Sequence, residues 1–200
     1  MAQISDEQLV ELFRSGNEDA FAQLIRRYER ELYNFLLKFL GQSASAEDIF
    51  QETFLQVHLS VASFESGRRF RPWLYTIAAN KARDLLRSQA RRPTVQLTPI
   101  DDDTDIGQLW DGLLKDTTTP QQQLQLKQKQ EFVRRVIEQL GEHLREILIL
   151  AYYNHLSYKE LSEVLAIPLG TVKSRLHSAV TQFGRLYHEL STDPERIENG

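Results

Sequence analysis

Along most of this chain, apolar residues recur at helical spacing between explicit start and stop signals. The longest case lies between Asn17, a residue type that caps helix starts, and Gly41, one that ends helices. Within it, Phe21, Leu24, Ile25, Tyr28, Leu32, Phe35, Leu36 and Phe39 recur every three or four residues, which places them on one helix face. Upstream, Ser5 and Gln8 have capping-box spacing, and Leu9, Val10, Leu12 and Phe13 give a short apolar face that stops at Gly16. Downstream, Ser45 is expected to open a third helix with Ala46, Ile49, Thr53, Phe54 and Val57 along one stripe. A fourth is expected from about Pro72 to Gln89, since proline is tolerated in a first turn. No run alternates convincingly at period two, so the pattern predicts an all-α chain with essentially no sheet.

From Pro93 the character changes. The stretch PTVQLTPIDDDTDIGQLWDGLLKDTTTPQQQ carries prolines, a threonine run and six aspartates against Lys115, for a net charge of −5 over residues 94–126. That composition predicts a flexible acidic linker with at most a helical turn near Leu109 to Leu114. Helical periodicity returns near Leu126. Phe132, Val133, Val136, Ile137 and Leu140 form one stripe, and Leu144, Ile147, Leu148 and Ala151 the next. Ser157 and Glu160 make a second capping box, and a final helix is expected to run to about Leu190. The expected organisation is two small helical domains, residues 1–92 and 127–190, joined by a linker over 93–126 and followed by a tail over 191–200.

Composition narrows the function. The chain has no cysteine, which excludes disulfides, thiolate metal sites and cysteine nucleophiles. The first residues lack the basic-then-apolar pattern of a secretory leader, and no run approaches the ~18 apolar residues of a membrane span, so a cytoplasmic protein is expected. His58, His143, His155, His177 and His188 show no metal-ligand spacing, and no Ser–His–Asp set is inferable. No catalytic residue, metal or cofactor is expected, and an enzyme is the weakest reading.

The segment AIPLGTVKSRLHSAV has the form of a helix-turn-helix: a short helix, a tight turn and a second helix rich in small polar and basic residues. At ~100° per residue, Val172, Leu176, Ala179, Val180 and Phe183 fall on one side. Thr171, Ser174, Ser178 and Thr181 fall opposite, flanked by Arg175 and by Lys173 and His177. Small hydroxyl residues let a helix approach base edges, and flanking cations reach phosphates or guanine. Between Pro168 and Tyr187 there are three cations and no acid, although the whole chain has a net charge of −4.

A second basic concentration comprises Arg68, Arg69, Arg71, Lys81, Arg83, Arg87, Arg91 and Arg92 against Asp84, for +7, interleaved with Phe64, Phe70, Trp73 and Tyr75. Cations mixed with aromatics suit unpaired nucleic acid, although Trp73 is expected to serve the core. Immediately upstream, Glu47, Asp48, Gln51, Glu52 and Gln56 form a polar, acidic face suited to a protein partner.

Taken in order, SAEDIFQETFLQVH, FRPWLYTIAANKARDLLRSQARR and LREILILAYYNHLSYKELSEVLAIPLGTVKSRLHSA resemble bacterial RNA polymerase sigma factors of the extracytoplasmic-function group, over residues 5–187 apart from the linker. The resemblance implies that Glu47, Asp48, Gln51, Glu52 and Phe54 dock on the clamp helices of the largest subunit of polymerase core. It implies that the Phe64–Phe70 loop and the helix after it open and read the minus-ten element. The residues concerned are Phe64, Arg68, Arg69, Asn80, Lys81, Arg83, Asp84, Arg87, Arg91 and Arg92. Residues 127–187 would read the minus-thirty-five element through Thr171, Lys173, Ser174, Arg175, His177 and Ser178. Polymerase core, including its flap, promoter DNA and an anti-sigma factor are the implied partners. The linker resembles the segment that threads near the polymerase active-site and RNA-exit path. Gly141 stands where the family usually has proline, and Ser178 stands at a position that is often basic. The alternative is a helix-turn-helix repressor with a helical N-terminal sensor domain, which leaves the +7 patch unexplained.

Overall fold

The structure is a computed structural model that describes residues 4–65, 67–89 and 120–192, with side chains described from residue 129 onward in the last stretch. Among these residues there are eight α-helices and no strand. They are α1 (Asp6–Arg14), α2 (Glu18–Leu40), α3 (Ser43–Ser60), α4 (Phe70–Gln89), α5 (Pro120–Glu138), α6 (Glu142–Tyr152), α7 (Tyr158–Leu165) and α8 (Leu169–Thr192). A 3-10 turn, Val61–Ser63, follows α3.

Most helix ends follow from their residues. Ser5 accepts from the Gln8 amide while the Gln8 side chain accepts from the Ser5 amide, completing the capping box of α1. The Asn17 side chain caps α2, and Gly41, at φ +76°, closes it in the left-handed conformation that glycine tolerates best. Ser157 and Glu160 form the second capping box at α7, which ends at Ala166 with φ +52°.

Three helix starts differ from expectation. Helix α4 begins at Phe70, so Pro72 occupies its first turn, where the missing N–H has no intrahelical partner to lose. Helix α3 begins at Ser43 rather than Ser45, with Gln42 at its N-cap position. Helix α5 begins at Pro120 rather than near Leu126. Proline is favoured at a first helical position, and the following glutamines are good helix formers that show no apolar period. The acidic stretch and the turn near Leu109 to Leu114 lie outside the described residues.

The described residues fall into two compact units. One contains α1–α4 together with residues 149–169; the other contains residues 120–148 together with 170–192. In the first, Leu9, Leu24, Leu32, Phe35, Leu36, Phe39, Phe70, Leu74 and Tyr75 are fully buried or nearly so. Ala78, Ala79 and Ala82 let α4 lie close to its neighbours. Asp6 ties α1 to α2 through Arg27 and the Tyr28 hydroxyl. In the second unit, Phe132 packs edge-on against Tyr187 at 5.0 Å, and Val133, Val136, Ile137, Val172, Ala179 and Phe183 are buried.

Candidate nucleic-acid interface

Helix α3 divides cleanly. Ala46, Ile49, Thr53, Phe54 and Val57 are buried, and the Thr53 hydroxyl is satisfied by donating to the Ile49 carbonyl at 2.6 Å. Glu47, Asp48, Gln51, Glu52 and Gln56 are exposed on the other side. Among them stand Leu55 and Leu59, which are 60% and 69% exposed. The sequence reading missed both leucines. Their signal was an i, i+4 pair lying off the buried stripe, a costly arrangement for a face meant only for water. Phe54 lies beneath this surface, against Phe50 and Phe21.

The cations around α4 separate by environment. Arg68 and Arg69 are exposed in the loop that precedes the helix. Arg71 turns inward to Glu31 and the Asn154 carbonyl, which withdraws one charge from the surface patch. Its guanidinium is held more strongly protonated than usual: burial opposes the charge, but the Glu31 carboxylate overcomes that opposition. Lys81 pairs with Glu52 at 3.1 Å, and Arg83 donates to Asn80 at 2.6 Å and to the Ala79 carbonyl at 3.2 Å. Arg87 and Asp84 face solvent with 3.7 Å between them, a separation at which the pair contributes little. Asn80, Asp84 and Arg87 therefore share the exposed side of α4 with Lys81 and Arg83 at its margin. Phe64 is buried against Trp73 at 4.9 Å and supports the loop from below. Arg91 and Arg92 lie outside the described residues.

The loop is fixed at its far end by a long-range cap. The Phe70 amide donates to Glu7 Oε1 at 3.1 Å, placing a carboxylate at the positive end of α4. Gly67 holds φ +92°, which permits the reversal just before it.

Helix α8 repeats the division seen in α3. Val172, Leu176, Ala179 and Phe183 are buried, while Lys173, Ser174, His177 and Ser178 are exposed, with Thr171 and Arg175 half-buried at the margin. The turn ahead of it is locked by Ser162: its carbonyl accepts from the Ile167 amide at 3.2 Å, and its hydroxyl donates to the Ile167 carbonyl at 2.6 Å. Arg185 approaches Glu189 at 3.6 Å, so the cations left for the open face are Lys173 and Arg175. Burial and then the charge of Arg175 hold the His143 imidazole below its usual pKa. No group of described residues is placed to hold a metal ion, and no described helix is long and apolar enough to cross a membrane.

These surfaces coincide with two family matches: Sigma-70 region 2 over residues 24–92 and Sigma-70 region 4 over residues 131–183. The chain is 31% identical to the RNA polymerase sigma-H factor of Pseudomonas aeruginosa, over 90% of this chain and 92% of that one. It is 32% identical to the ECF RNA polymerase sigma-E factor of Escherichia coli, over 88% and 91%. Among solved structures, CnrH in complex with the cytosolic domain of CnrY matches with a TM-score of 0.66 and 25% identity, over 94% of this chain and 98% of that one. The chain belongs to the extracytoplasmic-function group of bacterial RNA polymerase sigma factors, the non-catalytic subunits that direct polymerase core to promoters.

Proposed function

We propose that each of the three surfaces has its own task within the initiation complex. The exposed face of α3 docks on the clamp helices of the largest polymerase subunit: Leu55 and Leu59 provide the apolar contact, and Glu47, Asp48, Gln51 and Glu52 surround it. Arg68, Arg69, Asn80, Lys81, Arg83, Asp84 and Arg87, continued by Arg91 and Arg92, engage the minus-ten element and hold its unpaired bases. Thr171, Lys173, Ser174, Arg175, His177 and Ser178 read the minus-thirty-five element, with polymerase flap as a further contact for residues 127–190. Phe54 and Phe64 shape these surfaces from below.

The carrying observation is the pair of exposed leucines on an acidic helix. An acid-rich surface repels DNA, and two leucines left in water favour a protein partner. Such a partner also explains how an acidic chain reaches DNA with few cations on its reading helix. Polymerase core supplies the approach, and the unstacking of the opened bases, a few kcal/mol, is offset by contacts made only in the assembly. The chain is proposed to work in the cytoplasm, where polymerase acts. CnrH is bound to the cytosolic domain of CnrY, which favours a further protein partner for this chain, and an anti-sigma factor, the kind the family resemblance implies, is proposed for that place.

Run-off transcription with core polymerase over a promoter library tests the assignment. Selective transcripts that require this chain, and that are lost in Leu55→Asp/Leu59→Asp, support it. Retained transcription in that variant would overturn the docking face.

A further inference from the structure

We infer that Arg83 is a positioning residue for base reading: its guanidinium locks the Asn80 amide with Nδ2 outward, so that Asn80 selects an unpaired cytosine or guanine and rejects adenine. The inference rests on the assignment of Asn80 to the minus-ten element proposed above.

Asn80 and Arg83 stand three residues apart on α4, a spacing that brings their side chains together on one helix face. Arg83 Nη2 donates to Asn80 Oδ1 at 2.6 Å, and Arg83 Nε donates to the Ala79 carbonyl at 3.2 Å. The two bonds use different edges of one planar group, so the guanidinium is fixed in direction as well as in place. Asn80 itself is exposed, while Arg83 is half-buried at the margin. Neighbouring side chains are committed elsewhere: the Thr76 hydroxyl donates to the Pro72 carbonyl at 2.8 Å, and Lys81 is held by Glu52 at 3.1 Å. Among the described residues, none accepts a hydrogen bond from Asn80 Nδ2.

An asparagine amide is ambivalent, because rotation by about 180° exchanges its oxygen and its NH2 group. A guanidinium carries only donors, so at Asn80 it can face the oxygen alone. That bond decides the rotation: Oδ1 turns to Arg83, and Nδ2 turns away from it. Oδ1 keeps a second lone pair, but it lies beside a fixed cation, where an approaching amino group meets positive charge. The usual asparagine code for adenine needs oxygen and NH2 together, against N6 and N7. Held by Arg83, Asn80 offers NH2 alone.

The acceptors on the bases then set the preference. Unpaired cytosine places N3 and O2 side by side, and guanine places O6 and N7 side by side, so one NH2 group can satisfy both atoms. In adenine, N1 and N7 each lie beside the N6 amino group, which meets Nδ2 donor to donor. In thymine, N3–H separates O4 from O2. Arg83 thus takes part in minus-ten recognition through Asn80, without itself touching the base.

Run-off transcription with core polymerase over a barcoded promoter library tests this. Every non-template position of the minus-ten element is randomised within a pre-opened bubble, so that base reading is measured apart from opening. With wild type, one position should favour cytosine or guanine over adenine by at least about tenfold. Asn80→Ala should level that position to within about twofold. Arg83→Met keeps the stem, removes every donor and frees the amide to turn. Adenine should then be accepted at the same position to within about twofold of cytosine or guanine. Arg83→Lys keeps a donor for Oδ1 and should retain part of the preference. A lost phosphate contact, or a loss of folded protein, lowers all sequences alike and leaves the choice of base unchanged. A uniform loss or an unchanged base preference in Arg83→Met, with Asn80→Ala still levelling the position, would therefore overturn the positioning role alone. If Asn80→Ala leaves every position unchanged, the minus-ten assignment of Asn80 fails, and the inference falls with it.

Discussion

The Phe70 amide donates its hydrogen bond to Glu7 at 3.1 Å across more than sixty residues of sequence, so the first helix caps the fourth. Glu7→Ala should therefore destabilise the chain by about 1 kcal/mol, as expected for a lost helix cap, whereas Glu7→Gln keeps an acceptor and should lose less. Urea unfolding of the two variants distinguishes these outcomes. Equal stability of wild type and Glu7→Ala would remove the cap from the account.

Leu55 and Leu59 predict a separation of binding from folding. Because both are exposed, Leu55→Asp/Leu59→Asp should leave unfolding free energy within about 0.5 kcal/mol of wild type. Affinity for polymerase core should fall at least about tenfold, the equivalent of some 1.4 kcal/mol. Titration of labelled core against wild type and variant measures the loss, and calorimetry verifies the fold.

What was readable in the sequence follows physical lines. Capping boxes at Ser5 and Ser157, the Asn17 cap and the Gly41 stop are local, and each formed where its residues placed it. The burial of α8 on the Val172–Phe183 side was likewise set by period. The start of α5 was hidden because glutamines propagate a helix without an apolar stripe. The commitment of Arg71 to Glu31, the cap from Glu7 and the partnership of Tyr75 with Asn154 are long-range, and no local pattern encodes them. The candidate site was legible as residue types and faces. Which cations stay free for DNA was not, since that depends on tertiary neighbours such as Glu52 beside Lys81 and Asn80 beside Arg83.

Arg87 and Arg175 should fail at different steps. Arg87→Ala should slow opening of duplex promoter while leaving initiation on a pre-opened bubble nearly intact. Arg175→Ala should weaken initiation only where a minus-thirty-five element is present, by about 1–3 kcal/mol if it contacts a base edge. Permanganate footprinting separates the two. Normal transcription by both variants from the cognate promoter would refute the residue assignments.

The His143 imidazole is predicted to titrate below its usual 6.5, first because of burial and second because of Arg175. Since folding lowers this pKa, the unfolded chain binds more protons there. The contribution to stability is complete above about pH 6.5 and is lost as pH falls through the lower folded value. NMR titration should show the His143 pKa rising in Arg175→Ala, though only part of the way, because burial remains. No movement would place Arg175 away from that imidazole.

The central claim is that this acidic chain reads promoters only when polymerase delivers it. Its most direct test is binding to cognate duplex promoter at physiological salt, with and without core. The account predicts that the free chain binds no tighter than about micromolar, the range of non-specific contact, and that a specific complex appears on adding core. A nanomolar, sequence-specific complex of the free chain with duplex promoter would contradict it.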